Sequence, residues 1–425
     1  MIAIVGAGAC GLVAALTLKD AGVECVVLER DALPSGSTAL SSGFIPACGT
    51  RWQKARGVED SPALLRADIE NKNRSGSDSA VVQAVVGVIG PTLEWLADRH
   101  GLEFGLLEGF LYPGHSVARM HAVPEKTGLG LMGRLLAAAQ RGGVDILTDA
   151  RVFELVSGAR GDITGLSLMR PDGSIEAVDC DALLLACNGF GGNVEMVRRY
   201  IPEIAEAEYA GHRGNQGDAV RWGEALGAKL ADMGAYQGHG AWAVPHGKLL
   251  TWALVSEGAL RLNSSGEPVG DASEGYSEAS QYVLKQPGRI AWTIYDERLH
   301  KLGLTFPDYV ELEAAGAVRK ASDAQQLARV TGIPLEAIER ESRKFAPPYY
   351  AVKVTGALFH TQGGLEVDAD ARVLGLPDLY AGGGAARGLS GGHVWGYLSG
   401  NGLLSAVALG RIAGENLVKF ASRAA

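Results

Sequence analysis

The stretch IAIVGAGACGLVAALTLKDAGVECVVLER, residues 2–30, decides the fold of this chain. A short apolar strand runs into a turn with Gly6, Gly8 and Gly11, an apolar helix follows, and a second strand ends at Glu29. In a βαβ unit of this kind, the first two glycines allow a tight turn and close approach of a pyrophosphate, and the third allows the helix to pack on the strand. The helix N-terminus faces the phosphates, and the acid accepts hydrogen bonds from a ribose. The pattern therefore predicts a dinucleotide site.

FAD and NAD share this fingerprint, so the rest of the chain has to distinguish them. In LPSGSTALSSGFIPACG, residues 33–49, small hydroxyl side chains and glycines suit contacts to a ribityl chain and the edge of a flavin ring. Two further strands, in 181–193 and 379–388, each run into a glycine-rich turn, and an apolar helix follows at 399–418. These segments predict that the N- and C-terminal parts build one nucleotide-binding domain, with another region inserted between them.

The composition describes an acidic chain that is able to bury a large core. Of its 425 residues, 47% are hydrophobic and 20% are charged, and the net charge is −9 at pH 7. A negative charge weighs against a nucleic-acid partner, because phosphate binding needs a basic surface. The five cysteines form no CxxC pair, and four lie in apolar surroundings, which predicts buried thiols in a reducing, cytoplasmic compartment. We expect no signal peptide, no membrane span and no metal site.

Several separate motifs together carry a resemblance to a known family. They are VGAGACGLVAAL at 5–16, GNQGDAVRWGEALGAKL at 214–230, GALRLNSSGE at 258–267, HTQGG at 360–364 and the final glycine-rich helix segment. In this combination the chain resembles the fumarate reductase/succinate dehydrogenase flavoprotein family over nearly its whole length. The resemblance implies that the dinucleotide is FAD and that a mobile capping domain closes over the flavin.

The resemblance also implies a domain organisation. We expect an α/β chain with a Rossmann-like, glutathione-reductase-like FAD-binding domain built from residues 1–235 and 346–425, and an α+β capping domain inserted at 236–345. Some family members attach FAD through a histidine in the region of LSSGFIP, residues 40–46, where this chain has none, so we expect FAD to be held without a covalent bond. The residues predicted to contact FAD are Gly6, Gly8, Ala9, Gly11, Glu29, Arg30, Ser37, Thr38, Ser42, Gly43, Val152, Asn188, Gly189, Asp218, Gly383, Gly384, Leu403 and Leu404.

The predicted substrate site departs from the family pattern at two positions. Fumarate reductases of this family use one arginine in the cap as a proton donor and a second, near the C-terminus, as a clamp for a substrate carboxylate, with histidines and a threonine as further ligands. By the resemblance, His239 of YQGHG, Thr251 and His360 of HTQGG match the histidines and the threonine. The two arginine positions are occupied by Tyr276, in SEGYSEAS, and Tyr397, in GGHVWGYLSGNG.

Replacing arginine by tyrosine changes the available chemistry. Arginine stays protonated, whereas a phenol has a pKa near 10 and can donate or accept a proton. Two phenols suit proton abstraction next to a ketone that one of them polarises. This pair resembles the 3-ketosteroid Δ1-dehydrogenase branch of the family, in which one tyrosine removes an α-proton, another with a backbone NH binds the ketone, and flavin N5 takes the β-hydride.

The sequence therefore predicts an FAD-dependent desaturase of a small, cyclic ketone, with or without a carboxylate, such as an oxocyclohexanecarboxylate. The predicted catalytic residues are Tyr276, Tyr397 and His360, and the predicted substrate-binding residues are His239, Thr251, Trp395 and Gly400. Arg387 is a further candidate, as a substitute for the lost clamp. The electron acceptor is expected to be oxygen, a quinone or a carrier protein.

Three alternatives stay open at the level of sequence. An enone or enoate reductase would run the same step backwards and would need an electron donor. A flavin-carrying subunit without catalysis is disfavoured by two phenols and two histidines near the flavin. A flavin hydroxylase is disfavoured because such enzymes lack the HTQGG-type motif.

Overall fold

The N-terminal motif forms the centre of a parallel sheet. The computed structural model of the protein describes residues 1–158, 162–271 and 273–424. Its strands are β1 (Ile2–Val5), β2 (Cys25–Leu28), β3 (Ile45–Pro46), β4 (Gly105–Leu106), β5 (Met120–Ala122), β6 (Asp145–Leu147), β7 (Arg151–Ser157), β8 (Ile163–Met169), β9 (Ile175–Asp179), β10 (Ala182–Leu185), β11 (Glu208–Tyr209), β12 (Leu230–Ala231), β13 (Tyr236–Ala243), β14 (Lys248–Leu249), β15 (Leu260–Leu262), β16 (Ala291–Asp296), β17 (Arg319–Ala321), β18 (Tyr349–Thr361), β19 (Gly364–Leu365) and β20 (Leu379–Ala381). Its α-helices are α1 (Ala9–Asp20), α2 (Gly36–Leu40), α3 (Arg51–Ala55), α4 (Pro62–Asn73), α5 (Ser79–His100), α6 (Gly128–Arg141), α7 (Val194–Tyr200), α8 (Asp218–Ala225), α9 (Ala253–Ser256), α10 (Tyr276–Leu284), α11 (Glu297–Gly303), α12 (Pro307–Ala314), α13 (Ala324–Thr331), α14 (Leu335–Glu341) and α15 (Asn401–Ala424).

The parallel sheet has the strand order β20–β10–β1–β2–β6. Every neighbouring pair in it is parallel, and β1 pairs residue for residue with β10 on one side and β2 on the other. Both β1 and β10 are buried along their whole length, as is α1 from Ala9 to Leu18. Parallel strands covered on both faces read as continuous apolar runs, which explains the sequences IAIV and ALLL.

A second, mostly antiparallel sheet of seven strands lies beyond the parallel one. Its path is β14–β13–β18–β16–β15, with β11 and β17 also paired to β18. The 13-residue strand β18 is the central strand of this sheet. Its first half pairs with β16, and its second half pairs with β13. Because β18 runs from Tyr349 to Thr361, this sheet includes residues outside the predicted insert at 236–345.

The predicted α/β Rossmann-like domain with a second, α+β region is confirmed by this arrangement. The boundaries proposed for the domains, 1–235, 236–345 and 346–425, stay a prediction. No strand crosses these boundaries among the described residues, but the second sheet combines strands from all three segments.

Helix α5 bears on the expectation that the chain has no membrane span. Among the described residues, α5 is long and apolar enough to cross a bilayer by length and composition alone. Half of its most apolar window is buried inside the protein, and Val82, Val86 and Ile89 belong to the main core with no exposed surface. A core helix passes the same test, so the apolar character of α5 is accounted for by packing.

Candidate active site

A cavity of about 1800 Å³, including its open mouth, runs along the carboxyl ends of the parallel strands and reaches the second sheet. Ligands of open α/β sheets bind at this edge. Most of the predicted cofactor residues line it: Gly6, Gly8, Ala9, Glu29, Arg30, Ser37, Thr38, Ser42, Gly43, Val152, Asn188, Asp218, Gly383, Gly384 and Leu403. Six of the predicted catalytic and substrate-binding residues line it as well: His239, Thr251, Tyr276, His360, Tyr397 and Gly400. We call the part around Gly6, Glu29 and Val152 the dinucleotide end and the part around His239, Tyr276, His360 and Tyr397 the reaction end.

The dinucleotide end begins with a tight turn after β1. Gly6 has φ +108°, and a Cβ atom there would lie 2.5 Å from the Ala186 carbonyl oxygen, so no other residue fits without movement. Helix α1 starts after Gly8, which offers no side-chain cap to its first amides. Amides left free at a helix N-terminus suit a pyrophosphate. The observed turn therefore fits the bound dinucleotide that the sequence predicts.

The acid at the end of β2 is fixed by the backbone. One carboxylate oxygen of Glu29 accepts the Ala7 NH at 2.9 Å, and the other accepts the Asp31 NH at 3.0 Å. Each oxygen keeps a second lone pair. The carboxylate is therefore held in one orientation and still able to accept ribose hydroxyls.

Serine and asparagine side chains organise the middle of the cavity. The Ser37 hydroxyl accepts hydrogen bonds from the amides of Asn188 at 2.7 Å and Asn215 at 3.0 Å. The sequence analysis quoted the motif containing Asn215 but did not single this residue out. The thiols of Cys10 and Cys187 also lie along this wall, and burial raises the pKa of each to about 12.

Gly402, near the start of α15, leaves room beside the reaction end. A Cβ atom at Gly402 would point among Gln362, His360 and Tyr397, with each of them 3.8 or 3.9 Å away. No steric conflict with the protein therefore requires glycine at this position. A planar group that lies against this backbone, such as a flavin ring, would supply the reason.

Four of the predicted site residues do not line the cavity. Gly11 packs against the turn, since a Cβ there would lie 2.0 Å from the Gly6 carbonyl oxygen, which is the packing role expected of the third glycine. Gly189 packs against Thr361, and Leu404 is fully buried in the main core. Gly189 was predicted as a cofactor contact from the glycine turn that follows β10, and Leu404 from the glycine-rich segment at the start of α15.

Trp395 is the fourth residue outside the cavity lining. It lies in the short helical turn Val394–Gly396, and its ring stacks on His393 with centroids 4.0 Å apart. The Arg74 guanidinium lies over the Trp395 ring, 5.0 Å from the ring centroid. The turn brings Tyr397 to the cavity but not Trp395, so the predicted substrate contact of Trp395 is not supported by its position.

The reaction end is built where helix α10 packs on strand β13. A Cβ atom at Gly238 would lie 2.2 Å from the Ser280 hydroxyl, and one at Gly240 would lie 2.5 Å from the Ala279 backbone. The glycines of YQGHG therefore let the helix approach closely. Ser277 completes the junction by accepting the Gly238 NH at 2.9 Å and donating to a β13 carbonyl.

This packing brings the predicted side chains into one aromatic group. The rings of His239 and Tyr276 stack with centroids 4.7 Å apart and an interplanar angle of 18°. The rings of Tyr276 and Tyr397 are 5.9 Å apart at 60°. His360 joins the group from β18, where it pairs with Gln237 of β13. All four residues come from different segments of the chain.

Burial raises the pKa of both phenols, and their neighbours modify this effect. Burial raises the pKa of Tyr276 above its ordinary value, while the facing side chains of Ser399 and Tyr397 and the Gly400 NH lower it. The pKa of Tyr397 is raised well above 10, by burial first and then by the nearby Tyr276. Burial is thus opposed at Tyr276 by three hydrogen-bonding neighbours, and at Tyr397 by the backbone of Gly402 and Gly400, while Tyr276 itself adds to the rise at Tyr397.

Both histidines are neutral at physiological pH. Burial, and secondarily the positive charge of Arg261, lower the pKa of His239 to about 3, and burial lowers that of His360 to about 4. Nδ1 of His239 accepts the Ala241 NH at 3.2 Å, and Nδ1 of His360 accepts the Gln362 amide at 2.7 Å. Each ring therefore carries its proton on Nε2, as a neutral donor.

No arginine or lysine lines the reaction end among the described residues. The arginines that line the cavity, Arg30 and Arg151, lie at the dinucleotide end. Arg387, which we considered as a substitute clamp, is instead bonded to Asp232 at 2.9 Å and to Asp78 at 3.4 Å, outside the cavity lining. The hypothesis that Arg387 binds the substrate is therefore wrong, because its charge is already paired.

A buried arginine lies behind the reaction end. Arg261 is 5% exposed, and its guanidinium lies 4.8 Å from the centroid of the Trp252 ring. Nε and Nη1 of this group have no hydrogen-bond partner among the described residues. Its charge reaches His239 without lining the cavity, which places a positive potential behind Trp252.

Sequence reasoning missed several aromatic and polar residues of the reaction end. Trp252 and Phe359 flank His239, with ring centroids 5.7 and 5.3 Å away, and Tyr112 lies 6.3 Å from Tyr276. Ser399 also lines the cavity. Ser399 and Phe359 each adjoin a residue that was predicted, Gly400 and His360, so neighbouring positions of the motifs carried a signal. Tyr112 lies in a loop with no motif.

Comparison with known proteins agrees with this geometry. A family model described as an FAD binding domain matches residues 2–403. A probable fumarate reductase, Ifc3, of Shewanella frigidimarina (strain NCIMB 400) is 28% identical, over 99% of this chain and 75% of that protein. The open conformation of a flavocytochrome c3 fumarate reductase is 26% identical with a TM-score of 0.84, covering 99% of this chain and 78% of the other. A 3-ketosteroid-Δ4-(5α)-dehydrogenase from Rhodococcus jostii RHA1 shares the fold, with 24% identity and a TM-score of 0.76 over 98% and 96% of the two chains.

The family model matches most of the chain, and this shows the class of protein. The chain belongs to the FAD-binding domain family of the fumarate reductase and succinate dehydrogenase flavoproteins. It is a flavin-dependent oxidoreductase that acts on CH–CH bonds.

Proposed function

We propose that this enzyme desaturates the Cα–Cβ bond of a small cyclic ketone. The observation that carries the proposal is the pair of buried phenols, Tyr276 and Tyr397, at an end of the cavity that no arginine or lysine lines among the described residues. A site that reduces the C=C bond of an unsaturated carboxylate needs a fixed cation to bind the carboxylate and a donor to protonate the carbon. Two adjacent phenols suit the removal of a proton next to a ketone instead.

Tyr276 acts as the base in this proposal. In its ionised form the phenolate accepts the α-proton, so the Cα–H bond breaks and its electron pair enters an enolate. The Ser399 hydroxyl and the Gly400 NH face Tyr276 and favour the ionised form against the effect of burial. The Tyr397 hydroxyl does the same until a ketone binds, when its single proton is donated to the ketone oxygen instead. The stacked ring of His239 fixes the plane of Tyr276.

Tyr397 acts as the donor to the ketone oxygen. Its phenol keeps its proton because burial and the neighbouring Tyr276 both raise its pKa. A donor placed where negative charge develops lowers the barrier most in a site that excludes water. The Tyr397 side chain is 5% exposed, so competing water has little access to this hydroxyl.

Bound FAD would accept the β-hydride, so that the substrate loses one proton and one hydride, gains a C=C bond, and leaves the cofactor reduced by two electrons. An acceptor, which we propose to be oxygen, a quinone or a carrier protein, takes these electrons in a second half-reaction. Gly6, Gly8, Glu29 and Gly402 are the residues that we expect to hold this FAD, without a covalent bond.

The walls of the reaction end suit a ring-shaped substrate. Trp252 and Phe359 flank His239, and Tyr112 flanks Tyr276 at a ring distance of 6.3 Å. His239 and His360 each present a neutral Nε2–H, which can bind a carboxylate oxygen or a second carbonyl. We propose that His360 orients the substrate against the flavin position and that a carboxylate, where the substrate has one, binds at the His239 and Thr251 side.

The cellular setting is part of the same proposal. All five cysteines are free, and four of them are buried, as expected for a protein of a reducing compartment. We therefore propose a cytoplasmic location.

The direct test is anaerobic reduction of the bound flavin by candidate substrates. The oxidised holoenzyme is mixed with a panel of saturated cyclic ketones and cyclic keto acids, and loss of the visible absorption band of oxidised flavin is followed. Bleaching by a cyclic ketone, with formation of the enone, supports the proposal. The same panel with Tyr276→Phe and Tyr397→Phe shows whether the two phenols carry the chemistry.

The reverse reaction is the second candidate, because a 28% identical relative is named a probable fumarate reductase. For this test the flavin is first reduced chemically, and enones and enoates are then added without oxygen. If no ketone bleaches the oxidised protein while an enoate or an enone reoxidises the reduced protein, the enzyme is a reductase and the desaturase proposal fails.

A further inference from the structure

The last turn of helix α4 touches both segments that carry the phenols. On the cap side, the Lys72 ammonium donates to the Glu278 carboxylate and to the Glu274 carbonyl oxygen. These two acceptors lie on either side of Tyr276 in the sequence. The side chains of Lys72 and Glu278 are 13% and 9% exposed, so the ion pair is largely removed from water.

The next residue of the same turn contacts the other segment. The Asn73 amide donates to the Leu389 carbonyl at 2.8 Å, in the segment that leads to Tyr397. A Cβ atom at Gly396, the residue before Tyr397, would lie 3.0 Å from the Asn73 Cβ. Consecutive residues of one helix end therefore contact the approaches to both phenols.

From this arrangement we infer that Lys72 is a positioning residue that sets the place of Tyr276 relative to Tyr397. The inference rests on the proposed function, because it assigns Lys72 a role through a phenol that does the chemistry. Lys72 does not line the cavity among the described residues, so it acts through Glu274 and Glu278 and not by touching the substrate.

The turn before α10 has a backbone conformation that Lys72 can stabilise. Tyr276 is the first residue of α10, and Gly275 before it has φ +117°, a conformation that L side chains rarely adopt. Lys72 bonds to the chain on both sides of this turn. Without the ion pair, the loop before α10 keeps the freedom of its glycine, and the phenol is no longer fixed by that contact.

The charges explain why the pair is tight. Burial raises the pKa of Glu278, and Lys72 opposes that rise. The second carboxylate oxygen of Glu278 is buried and has no hydrogen-bond partner among the described residues. Removing the lysine would leave a buried carboxylate without compensation, and the side chain would have to move toward water or take up a proton.

The test compares Lys72→Met, which keeps the length and removes the charge, with Lys72→Arg, which keeps the charge. We expect Lys72→Met to lower the rate of flavin reduction by about 10- to 100-fold while KM stays within about threefold, since a misplaced group costs rate and not binding. Lys72→Arg should recover most of the rate. Arg66→Met is the matched control, because it removes an ion pair with Glu70 from the same helix, away from both phenols.

The inference is overturned if Lys72→Met reduces its flavin within twofold of the wild-type rate, or if Lys72→Arg falls as far as Lys72→Met. Should Lys72→Met fold poorly, Glu278→Gln provides a second variant with the same expected loss of rate and unchanged KM. The double variant Lys72→Met/Glu278→Gln should lose no more than either single variant, because both remove one interaction.

A measurement without any substrate separates this inference from the proposed function. Amide hydrogen exchange of the FAD-loaded protein is followed in peptides covering residues 273–284, with 253–262 as the internal reference. Lys72→Met should accelerate exchange in the first segment only. If no ketone of the panel bleaches the wild-type flavin but Lys72→Met still accelerates exchange, the proposed reaction is wrong and the positioning role of Lys72 stands. Unchanged exchange at 273–284 overturns the positioning role.

Discussion

The dinucleotide end of the cavity is built mainly from backbone groups, whereas the reaction end is built from large side chains. The dinucleotide end uses backbone amides, small residues and one carboxylate, Glu29, which is itself fixed by two backbone NH groups. The reaction end uses large side chains, with Tyr276 stacked on His239 and tilted toward Tyr397. A backbone site binds any ligand of the right shape, and its pattern is shared by many enzymes. A side-chain site defines one chemistry and can change by single substitutions.

The largest effect that would sharpen this contrast is expected from Tyr276→Phe. Loss of the base should slow flavin reduction by a cyclic ketone by about 10²- to 10⁴-fold, while FAD binding is retained. Rapid-mixing absorbance measures the rate, and the visible spectrum measures bound FAD. Tyr282→Phe, on the same helix but outside the cavity lining, is the control and should keep the wild-type rate. A Tyr276→Phe rate near wild type would remove the base from the mechanism.

Tyr397→Phe should have a somewhat smaller effect, of about 10²- to 10³-fold, because it removes a single donor to the developing oxyanion. The loss should lie in the rate of reduction and not in the affinity for the ketone. Substrate titration of the reduction rate separates the two. A pure loss of affinity with an unchanged limiting rate would contradict the assignment of Tyr397 as an oxyanion donor.

The flavin position beside the reaction end can be tested by filling the space that Gly402 leaves. Gly402→Leu meets no protein atom closer than 3.8 Å at Cβ, so the chain should fold. The added side chain would occupy the position that we assign to the flavin, and FAD affinity should fall by about tenfold or more, equivalent to at least about 1.4 kcal/mol. Fluorescence titration of the apoprotein with FAD measures this change. Unaltered affinity would mean that the flavin does not lie against Gly402.

The reaction end should also make the protein sensitive to acid. His239 and His360 stay neutral in the folded state, with pKa values of about 3 and about 4, whereas the unfolded chain binds their protons below about pH 6.5. Because the unfolded state binds more protons, stability falls as pH drops below 6.5, by up to about 1.4 kcal/mol per pH unit for each histidine. His115 and His121, elsewhere in the protein, add to this slope with pKa values of about 4.

Replacing one histidine measures its share of that slope. The unfolding free energy of His239→Asn should fall less between about pH 6.5 and 4 than that of the wild type, by up to about 1.4 kcal/mol per pH unit. Denaturant titrations at several pH values measure this difference. His300→Asn offers a comparison at a position in the cap that does not line the cavity. An unchanged slope in His239→Asn would show that this ring is not buried in its neutral form.

The contrast between the two ends also explains what the sequence could predict. The glycine spacing at residues 6–11 and the acid at Glu29 specify backbone geometry directly, so this end followed from local pattern and elementary sterics. Tyr276, His239 and His360 lie in different segments, and only the resemblance to a family brought them together before the structure did. Nothing local indicated that α10 would lie on β13 closely enough to stack a phenol on an imidazole.

The predictions that differ from the structure, and the site residues that were not predicted, also depend on tertiary packing. Trp395 sits two residues before Tyr397, but the short helical turn that contains it brings only the tyrosine to the cavity. Tyr112 lies in a loop whose position depends on tertiary packing and not on its own sequence. The second sheet joins segments on both sides of the predicted boundary at residue 345, because β18 pairs along its length with β16 and β13 of the predicted insert.

The buried thiols along the cavity have a consequence for the lifetime of the enzyme. If oxygen is the acceptor, each turnover releases peroxide beside Cys10 and Cys187. Peroxide attacks the thiolate, and a thiol with a pKa of about 12 is ionised to only about one part in 10⁵ near neutral pH. We therefore expect these two thiols to react only slowly with peroxide formed in the cavity.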